Sequence, residues 1–207
     1  NRELIHNTNE KLSATESKME ALRNITERYD GYGNSIRRVM EQKQWNPGII
    51  GVVADIITVN KKYEVAVETA LGGSIQNIVT EDDATAKRMI SYLKTNRLGR
   101  ATFLPLNTIT DRGSVRNDVL REKGVIGVAS DLVEVDSKFN TLVKNLLGRI
   151  IVVDNIDNAL AVARKNNQSL RLVTIEGELI NPGGSMTGGA FRNSSNLLGR
   201  KRELDEL

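Results

Sequence analysis

Several residue types that carry chemistry are absent from this sequence or rare in it. There is no cysteine, which excludes disulfides, thiolate zinc sites and cysteine nucleophiles and makes a reducing compartment the simpler assumption. The only histidine is His6, so histidine ligand clusters and serine–histidine or cysteine–histidine catalytic pairs are excluded as well. We therefore expect a non-catalytic chain that holds no metal and no cofactor.

Long apolar runs are also missing. No run approaches the roughly 18 residues that a bilayer-spanning helix needs, and the N-terminus lacks the basic-then-apolar pattern of a signal peptide. We therefore expect no membrane contact and a cytoplasmic location. The chain begins at Asn1 without methionine and stops at Leu207 inside a predicted helix, so we expect it to be a piece of a longer protein.

The charge balance gives little information about partners. The 207 residues include 29 Lys and Arg against 26 Asp and Glu, a net charge of +3, which is too small to predict nucleic-acid binding from total charge. No segment forms a basic tail. Any DNA contact would therefore depend on where the cations lie in the fold.

Both ends of the chain are predicted to be helical arms. Ile5, Leu12 and Met19 are spaced seven residues apart in a stretch without glycine or proline, which is the spacing of a coiled coil. Leu197 and Leu204 repeat in the same way near the other end. We interpret the ends as an antiparallel pair at the base of a long coiled coil; the alternative is two solvated helices packed on a globular body.

The middle of the chain is an internal repeat. The run GIIGVVADIITVNKKYEVAVETALG from Gly48 and the run GVIGVASDLVEVDSKFNTLVKNLLG from Gly124 are identical at ten of 25 positions. Such similarity at a fixed offset indicates a duplicated structural unit. Asp55 and Asp131 are equivalent carboxylates in the two copies, and their duplication at predicted strand ends favours capping or turn roles over acid–base catalysis.

Each copy is predicted to have the order β-α-β-α-β, which gives an α/β (α+β) fold of two small subdomains. In the first copy we predict strands at 49–59, 75–80 and 100–104 and helices near 67–71 and at 82–96. In the second we predict strands at 125–135, 150–154 and 170–175, helices near 143–147 and at 156–166, and a hairpin strand ending at Ile180. Asp83 and Asp157 are the predicted N-caps, and Trp45 is predicted to anchor the first short helix on the body.

The chain is accordingly divided into five segments. They are an N-terminal arm at 1–29, subdomain I at 30–110, a charged linker at 111–123, subdomain II at 124–191 and a C-terminal arm at 192–207. Subdomains of this size have marginal cores on their own. We therefore expect them to pack on each other or on another chain.

A glycine-rich run, Asn181-Pro-Gly-Gly-Ser-Met-Thr-Gly-Gly189, follows the last predicted strand. It contains no basic residue and matches neither phosphate-binding glycine motif, which counts against a phosphate cradle but leaves it as one alternative. A flexible loop is another alternative. The interpretation that we favour is a surface where two chains meet backbone to backbone, because the preceding strand is expected to end its sheet and to need an edge partner.

The strings LVTIEGELINPGGSMTGGA and YLKTNRLGRATFLPL, together with the heptad-like ends, resemble the hinge domain of a bacterial structural maintenance of chromosomes (SMC) protein. The resemblance covers essentially the whole chain. It implies a homodimerisation hinge at the far end of a long antiparallel coiled coil from an ATPase head, with the two subdomains of each protomer meeting the opposite ones of its partner in a pseudo-twofold ring. It also implies a role in chromosome condensation and segregation at the nucleoid, and it places head and kleisin contacts outside this fragment.

The resemblance further implies which residues are functional. At the dimer junction it points to Gly183, Gly184, Gly188 and Gly189. It also implies DNA contact where the coiled coil leaves the globule, and the cations available there are Arg192, Arg200, Lys201 and Arg202 on one side and Arg28, Arg37 and Arg38 on the other. The alternative for these cations is a solvated helix face with i,i+4 pairs such as Arg202 and Glu206.

Overall fold

A long helix forms the N-terminal arm. The computed structural model describes residues 2–29, 32–190 and 197–207, the side chains of 21–28 excepted. Helix α1 spans Arg2–Arg28, as its freedom from glycine and proline predicts. Its heptad residues Ile5, Leu12 and Met19 are 57–60% exposed. The described part of the chain therefore leaves the apolar stripe of α1 uncovered, and the predicted antiparallel pairing of the two ends is not seen there.

The first repeat forms a small mixed sheet with helices. Its elements are α2 (Asn34–Glu41), β1 (Ile49–Val52), α3 (Val53–Ile56), β2 (Thr58–Val59), α4 (Glu64–Leu71), β3 (Ile78–Thr80), α5 (Asp83–Thr95) and β4 (Phe103–Pro105). The strand order is β1-β3-β4, with β3 antiparallel to β1 and parallel to β4.

The second repeat has the same order and a larger sheet. Its elements are β5 (Val125–Val128), β6 (Val133–Glu134), α6 (Asn140–Leu147), β7 (Ile150–Val153), α7 (Ile156–Lys165), β8 (Arg171–Thr174), β9 (Leu179–Ile180) and β10 (Met186–Thr187). The sheet order is β10-β9-β8-β7-β5. A final helix, α8, spans Leu197–Asp205 and belongs to the C-terminal arm.

The first apolar run of each repeat differs from the prediction. A single strand is expected at 49–59, but the chain turns into the one-turn helix α3 after Val52 and resumes as β2. In the second copy a 3-10 turn at Ala129–Leu132 interrupts the run in the same way. The short strands that follow, β2 and β6, pair antiparallel and join the two repeats. The interruption therefore turns a strand of one repeat's sheet into a bridge between repeats.

One hydrophobic core extends through both repeats. Its fully buried members include Ile49 and Ile78 from the first repeat and Leu142 and Leu147 from the second. A second cluster lies between α7 and the larger sheet, around Ile151 and other buried side chains. The expectation that the two repeats pack on each other is therefore confirmed, and each gains the buried apolar area that it lacks alone.

Two local predictions are wrong in detail. The helix N-caps are Asp82 and Asn155, whose side chains accept hydrogen bonds from the amides of Thr85 and Asn158; the predicted caps, Asp83 and Asp157, lie inside the first turn. Trp45 is 53% exposed. Val39 and Met40 of α2 are buried instead, so the short helix is anchored by its own aliphatic side chains.

Candidate functional site

The glycine-rich run folds as a tight turn followed by strand β10. The Asn181 amide donates to the Ser185 carbonyl at 2.9 Å, and the Gly184 amide donates to the Asn181 carbonyl at 2.9 Å. Gly183 and Gly184 have φ values of 91° and 99°, which glycine adopts readily and other residues do not. The turn reverses the chain and brings Met186 opposite Ile180.

The strand that forms the sheet edge is not the one that the sequence predicts. Strand β9 is expected to be unpaired, yet it lies between β8 and β10. The edge is β10 itself, a two-residue strand inside the glycine run. Residues 182–190 are all exposed, and Met186 is 54% exposed. The open backbone edge therefore lies one strand further along the chain.

Contacts within one chain account for the four glycines. Gly183, Gly184 and Gly189 have positive φ, and a Cβ on Gly188 would lie 3.3 Å from Cγ of Glu178. The Gly183 amide donates to the Gln168 carbonyl at 2.8 Å. Because the amides of Gly183 and Gly184 already have carbonyl partners, they are not free to bind an anion. The phosphate-cradle alternative is therefore disfavoured.

The C-terminal arm is attached to the first repeat at its root. Leu197 and Leu198 of α8 are 8% and 2% exposed, and the Leu197 amide donates to Oε1 of Glu68 at 2.8 Å. Arg202 forms an ion pair with Glu64. Lys201 Nζ donates to the Ile57 carbonyl at 2.6 Å. The first turns of α8 thus dock on α3 and α4, while Leu204 remains 60% exposed.

The pKa of the Glu68 carboxyl group is shifted at this contact. Burial raises its pKa, the hydrogen bond from the Leu197 amide opposes the rise, and the neighbouring charge of Glu64 adds to it. A carboxyl whose pKa is raised in the folded state binds its proton more tightly there than in the unfolded chain. Its contribution to stability is therefore greatest below the ordinary pKa of glutamate and is lost as the pH rises through the folded pKa.

The N-terminal arm ends on the same one-turn helix. Tyr29 is 4% exposed, and its hydroxyl donates to Oδ2 of Asp55 in α3 at 2.5 Å. The equivalent carboxylate in the second repeat, Asp131, is exposed. Asp55 therefore anchors an arm, which is a structural role other than the capping or turn role predicted for it.

The predicted DNA-binding cations have different surroundings. Lys201 and Arg202 are engaged in the docking of α8, and Arg202 also pairs with Glu206 at 3.4 Å. Arg200 is exposed. Nη2 of Arg37 donates to Oδ1 of Asn34 at 3.1 Å, and Arg38 lies 3.8 Å from Glu41 with its side chain 44% exposed. Arg192 and the side chain of Arg28 lie outside the described residues.

Two further cations lie near the beginning of α2. The Ser35 hydroxyl donates to the Arg100 carbonyl at 2.7 Å, so α2 lies against the loop that follows α5. Arg97 and Arg100 in this loop are exposed. Sequence reasoning missed them because they are 62 residues or more from Ser35 along the chain; the GRATFLPL string that contains Arg100 was their only signal.

Known proteins match this chain along most of its length. Residues 46–163 match the family described as SMC proteins Flexible Hinge Domain. The chain belongs to the SMC hinge family. The expectation drawn from the glycine-rich and GRATFLPL strings is thereby confirmed. The matched residues run from just before β1 into α7, so they include α3 and α4, on which α8 docks, and most of the shared core.

Relatives of the hinge are bacterial and archaeal. The chromosome partition protein Smc of Desulfitobacterium hafniense (strain Y51) is 42% identical over 205 residues, which are 96% of this chain and 17% of that protein. The chain therefore spans about a sixth of that relative's length.

Solved hinge structures share the fold. An asymmetric dimer of the Geobacillus stearothermophilus SMC hinge domain is 36% identical, with a TM-score of 0.80 over 98% of this chain and 83% of that one. The Pyrococcus furiosus Smc hinge domain with an extended coiled coil is 31% identical, with a TM-score of 0.60 over 94% of this chain and 75% of that one. The mixed α+β architecture with helical ends is therefore that of SMC hinges.

The described residues contain neither a membrane-spanning helix nor a metal-binding cluster. Among residues 2–29, 32–190 and 197–207, no helix of the hinge is long and apolar enough to cross a membrane. Within those same ranges, no group of histidine and acidic side chains is arranged to hold a metal ion.

Proposed function

We propose that this hinge joins two copies of a chromosome partition SMC protein through open edges of its sheets. The observation that carries the proposal is strand β10. It is the outermost strand of the five-stranded sheet, its residues are exposed, and no strand of the described chain pairs with its outer side. An exposed strand edge is a ready template for pairing with another chain.

Comparison of the repeats identifies a second open edge. Phe103 of β4 pairs with Ile78, and Leu172 of β8 pairs with Ile151, so β4 and β8 occupy equivalent places. In the second repeat β9 covers the outer side of β8. In the described part of the first repeat, no strand covers β4. On this side of the sheets the outermost strands are thus β4 in the first repeat and β10 in the second, while β1 and β5 lie at the opposite edges.

The edges at β4 and β10 suit a closed dimer. Pairing β10 of one protomer with β4 of its partner, repeated by a twofold axis, forms two equivalent seams and leaves neither edge open. The Geobacillus stearothermophilus hinge, with a TM-score of 0.80, was solved as an asymmetric dimer, which supports dimerisation. In this proposal Gly183, Gly184, Gly188 and Gly189 shape the turn that presents β10.

Sedimentation equilibrium of the unmodified chain tests the dimer directly. We expect a single species at twice the 22.9 kDa of one chain across the micromolar range, because edge pairing on both repeats forms two seams at once. A lysozyme-sized standard run alongside controls the mass scale. A species of 22.9 kDa at every concentration would show that the open edges do not join protomers.

The proposal extends to the longer protein. Residues 1–29 and 192–207 are the roots of arms that continue as an antiparallel coiled coil, residues 30–110 and 124–191 are the two subdomains, and 111–123 is the linker. The hinge acts mechanically and holds no cofactor. ATP binding and hydrolysis belong to parts of the longer protein outside this chain, as does contact with a kleisin. The longer protein acts on the chromosome in the cytoplasm.

We also propose that DNA contacts the hinge beside the root of the N-terminal arm. The described cations that are exposed or near the surface there are Arg37, Arg38, Arg97 and Arg100, with Arg200 on the C-terminal side. Arg192, which lies outside the described residues, stays a candidate from the sequence alone. Positioned cations suffice for phosphate contacts, and each contact adds to the salt dependence of binding. Lys201 and Arg202 are left out because they hold α8 in place.

Salt-dependent binding of duplex DNA tests this surface. We expect the double variant Arg38→Gln/Arg100→Gln to lower the slope of log K against log salt by about 0.9 for each phosphate contact that is lost. The control is Arg164→Gln, which removes an exposed charge from α7 on the second repeat. Equal slopes for the double variant and the control would place the DNA elsewhere.

A further inference from the structure

A buried carboxylate lies under the C-terminal arm. Glu64 of α4 has a side chain that is only 6% exposed, and it is the one buried charged residue in the described part of the chain. A buried charge is costly unless it is paired and hydrogen-bonded. Its partner is the guanidinium of Arg202, which comes from α8. The arm therefore supplies the group that makes this buried charge tolerable.

A second carboxylate, one helical turn along α4, contacts the first residue of the arm helix. Oε1 of Glu68 accepts the Leu197 amide at 2.8 Å. The first amides of a helix have no partner within the helix, and a carboxylate beside them is favourable. Glu64 and Glu68 thus hold two points of α8 that are five residues apart, which fixes both the position and the direction of this helix.

A cation of the arm adds a third point of attachment. Lys201 Nζ donates to the Ile57 carbonyl at 2.6 Å and to Oγ1 of Thr58 at 3.3 Å. Ile57 directly follows α3, the helix whose Asp55 also binds Tyr29 at the end of the other arm. The roots of both arms therefore meet at α3.

The internal duplication shows that the acidic pair is not needed to build a repeat. At the offset of the repeat, Glu64 corresponds to Asn140 and Glu68 corresponds to Lys144. Two buried apolar positions of the same helix are unchanged, Val67 with Val143 and Leu71 with Leu147. The fold of the repeat therefore tolerates an amide and a cation at these places. The carboxylates occur only in the copy on which α8 docks.

We propose that Glu64, Glu68, Lys201 and Arg202 form an arm clamp that sets the direction in which the C-terminal arm leaves the hinge. These are positioning residues, and Lys201 and Arg202 serve the arm rather than DNA. The inference rests on the proposed function in one respect only, since a fixed arm direction matters if the hinge joins two arms. Loss of the clamp frees α8 while both sheets and the dimer seams stay intact.

Arm direction can be measured because the chain has no cysteine. Spin labels on Glu203→Cys in α8 and Lys87→Cys in α5, both exposed positions, report the distance between arm and body by double electron–electron resonance. With labelled chain diluted into an excess of unlabelled chain, so that few dimers carry two labelled protomers, we expect one narrow distance distribution for the clamped hinge. We expect the Glu64→Gln and Glu68→Leu variants to give broad distributions that include longer distances.

Two matched controls separate the clamp from general stability. Glu68→Gln keeps an acceptor for the Leu197 amide and removes only the charge, so its distribution stays narrow. Lys144→Gln changes the equivalent, exposed position of the second repeat, outside the copy on which α8 docks, and also leaves the distribution narrow. Amide exchange at Leu197 provides a second readout. It accelerates about three- to tenfold in Glu68→Leu, as expected for one lost hydrogen bond, and stays at the original rate in Glu68→Gln.

Sedimentation of the same variants keeps this inference distinct from the proposed dimer. Broad distributions with unchanged dimer mass support the clamp. Narrow distributions in both Glu64→Gln and Glu68→Leu overturn it, whatever the mass. A monomeric mass for the unmodified chain contradicts the proposed function and leaves the test of the clamp valid. If Glu64→Gln fails to fold, the comparison of Glu68→Leu with Glu68→Gln decides alone.

Discussion

The Met186→Pro variant should sediment as a monomer under conditions in which the unmodified hinge is a dimer. The hydrogen bond from the Asn181 amide to the Ser185 carbonyl makes that pair a hydrogen-bonded one. Pairs alternate along antiparallel strands, so Met186 opposite Ile180 is a non-hydrogen-bonded pair. Its amide therefore faces away from β9, toward the open edge. Proline removes this donor without breaking a bond to β9.

The matched control for this variant is Met186→Thr. Threonine replaces the same half-exposed side chain, keeps the amide and favours extended backbone, so we expect it to remain dimeric. Circular dichroism should show the same fold for both variants, because β10 is only the last strand of its sheet. If both variants lose the dimer, the side chain of Met186 matters rather than the backbone edge; if neither does, β10 is not the seam.

Alanine at all four glycines would be a less informative experiment. Gly183, Gly184 and Gly189 adopt positive φ within one chain, so alanine would strain the turn whether or not a partner is present. A loss of mass in such a variant would mix damage to the turn with damage to the seam. The proline substitution acts on a single outward amide and avoids this ambiguity.

The Gly124→Ala variant should lose more stability than Gly48→Ala, the same change at the glycine that opens the first repeat. Gly124 has φ of 85°, and a Cβ there would lie 2.7 Å from Cβ of Asn158 and close to the carboxylate of Asp154. Strain of this kind together with a steric clash costs roughly 3 kcal/mol. For a chain of this size, the melting temperature should fall by roughly 6–12 °C.

A glycine three residues later, inside β5, provides the control. Gly127 has no atom within 4 Å of a built Cβ, so Gly127→Ala should change the unfolding free energy by less than about 1 kcal/mol. Gly48, the first-repeat equivalent of Gly124, would place a Cβ in overlap with Oγ1 of buried Thr85 and 3.1 Å from its Cβ. It lacks the positive φ, so Gly48→Ala should fall between the two. Equal melting temperatures for Gly124→Ala and Gly127→Ala would contradict this account.

Both glycines occupy the same place in their repeats. The Glu81 amide donates to the Gly48 carbonyl at 2.8 Å, and the Asp154 amide donates to the Gly124 carbonyl at 2.9 Å. Each glycine thus lies between the end of a central strand and the first turn of the helix that follows. The sequence shows that both copies of the repeat have glycine at this position. Only the packing shows which neighbouring side chains occupy the space that a Cβ would fill.

The sequence predicted the parts of the fold that depend on local periodicity. The 3.6-residue pattern predicted a helix from Asp82 to Asn96, and each predicted end lies one residue from the observed end of α5. The duplication predicted two similar units. The run Ile49–Val59 was misjudged because its β-branched residues favour strand locally. The turn into α3 recurs in the second repeat, and it precedes the pairing of β2 with β6, a long-range contact that no local pattern contains.

The candidate site was predictable only in part for the same reason. The glycine run was recognised, but a strand of two residues, Met186 and Thr187, is too short to show alternation. Lys201 and Arg202 resembled free surface cations because Glu64 lies 138 residues from Arg202 along the chain. A cation's partner at that distance is visible only once the fold brings the two together.

The position of α3 has a mechanical consequence. Tension on the N-terminal tail reaches the body at Asp55 of α3, and tension on the C-terminal tail reaches it at α4 and at the Ile57 carbonyl just after α3. The next residues along the chain, Thr58 and Val59, form β2 and pair with β6 of the second repeat. A pull on either tail therefore acts directly beside this short ladder and loads it in shear.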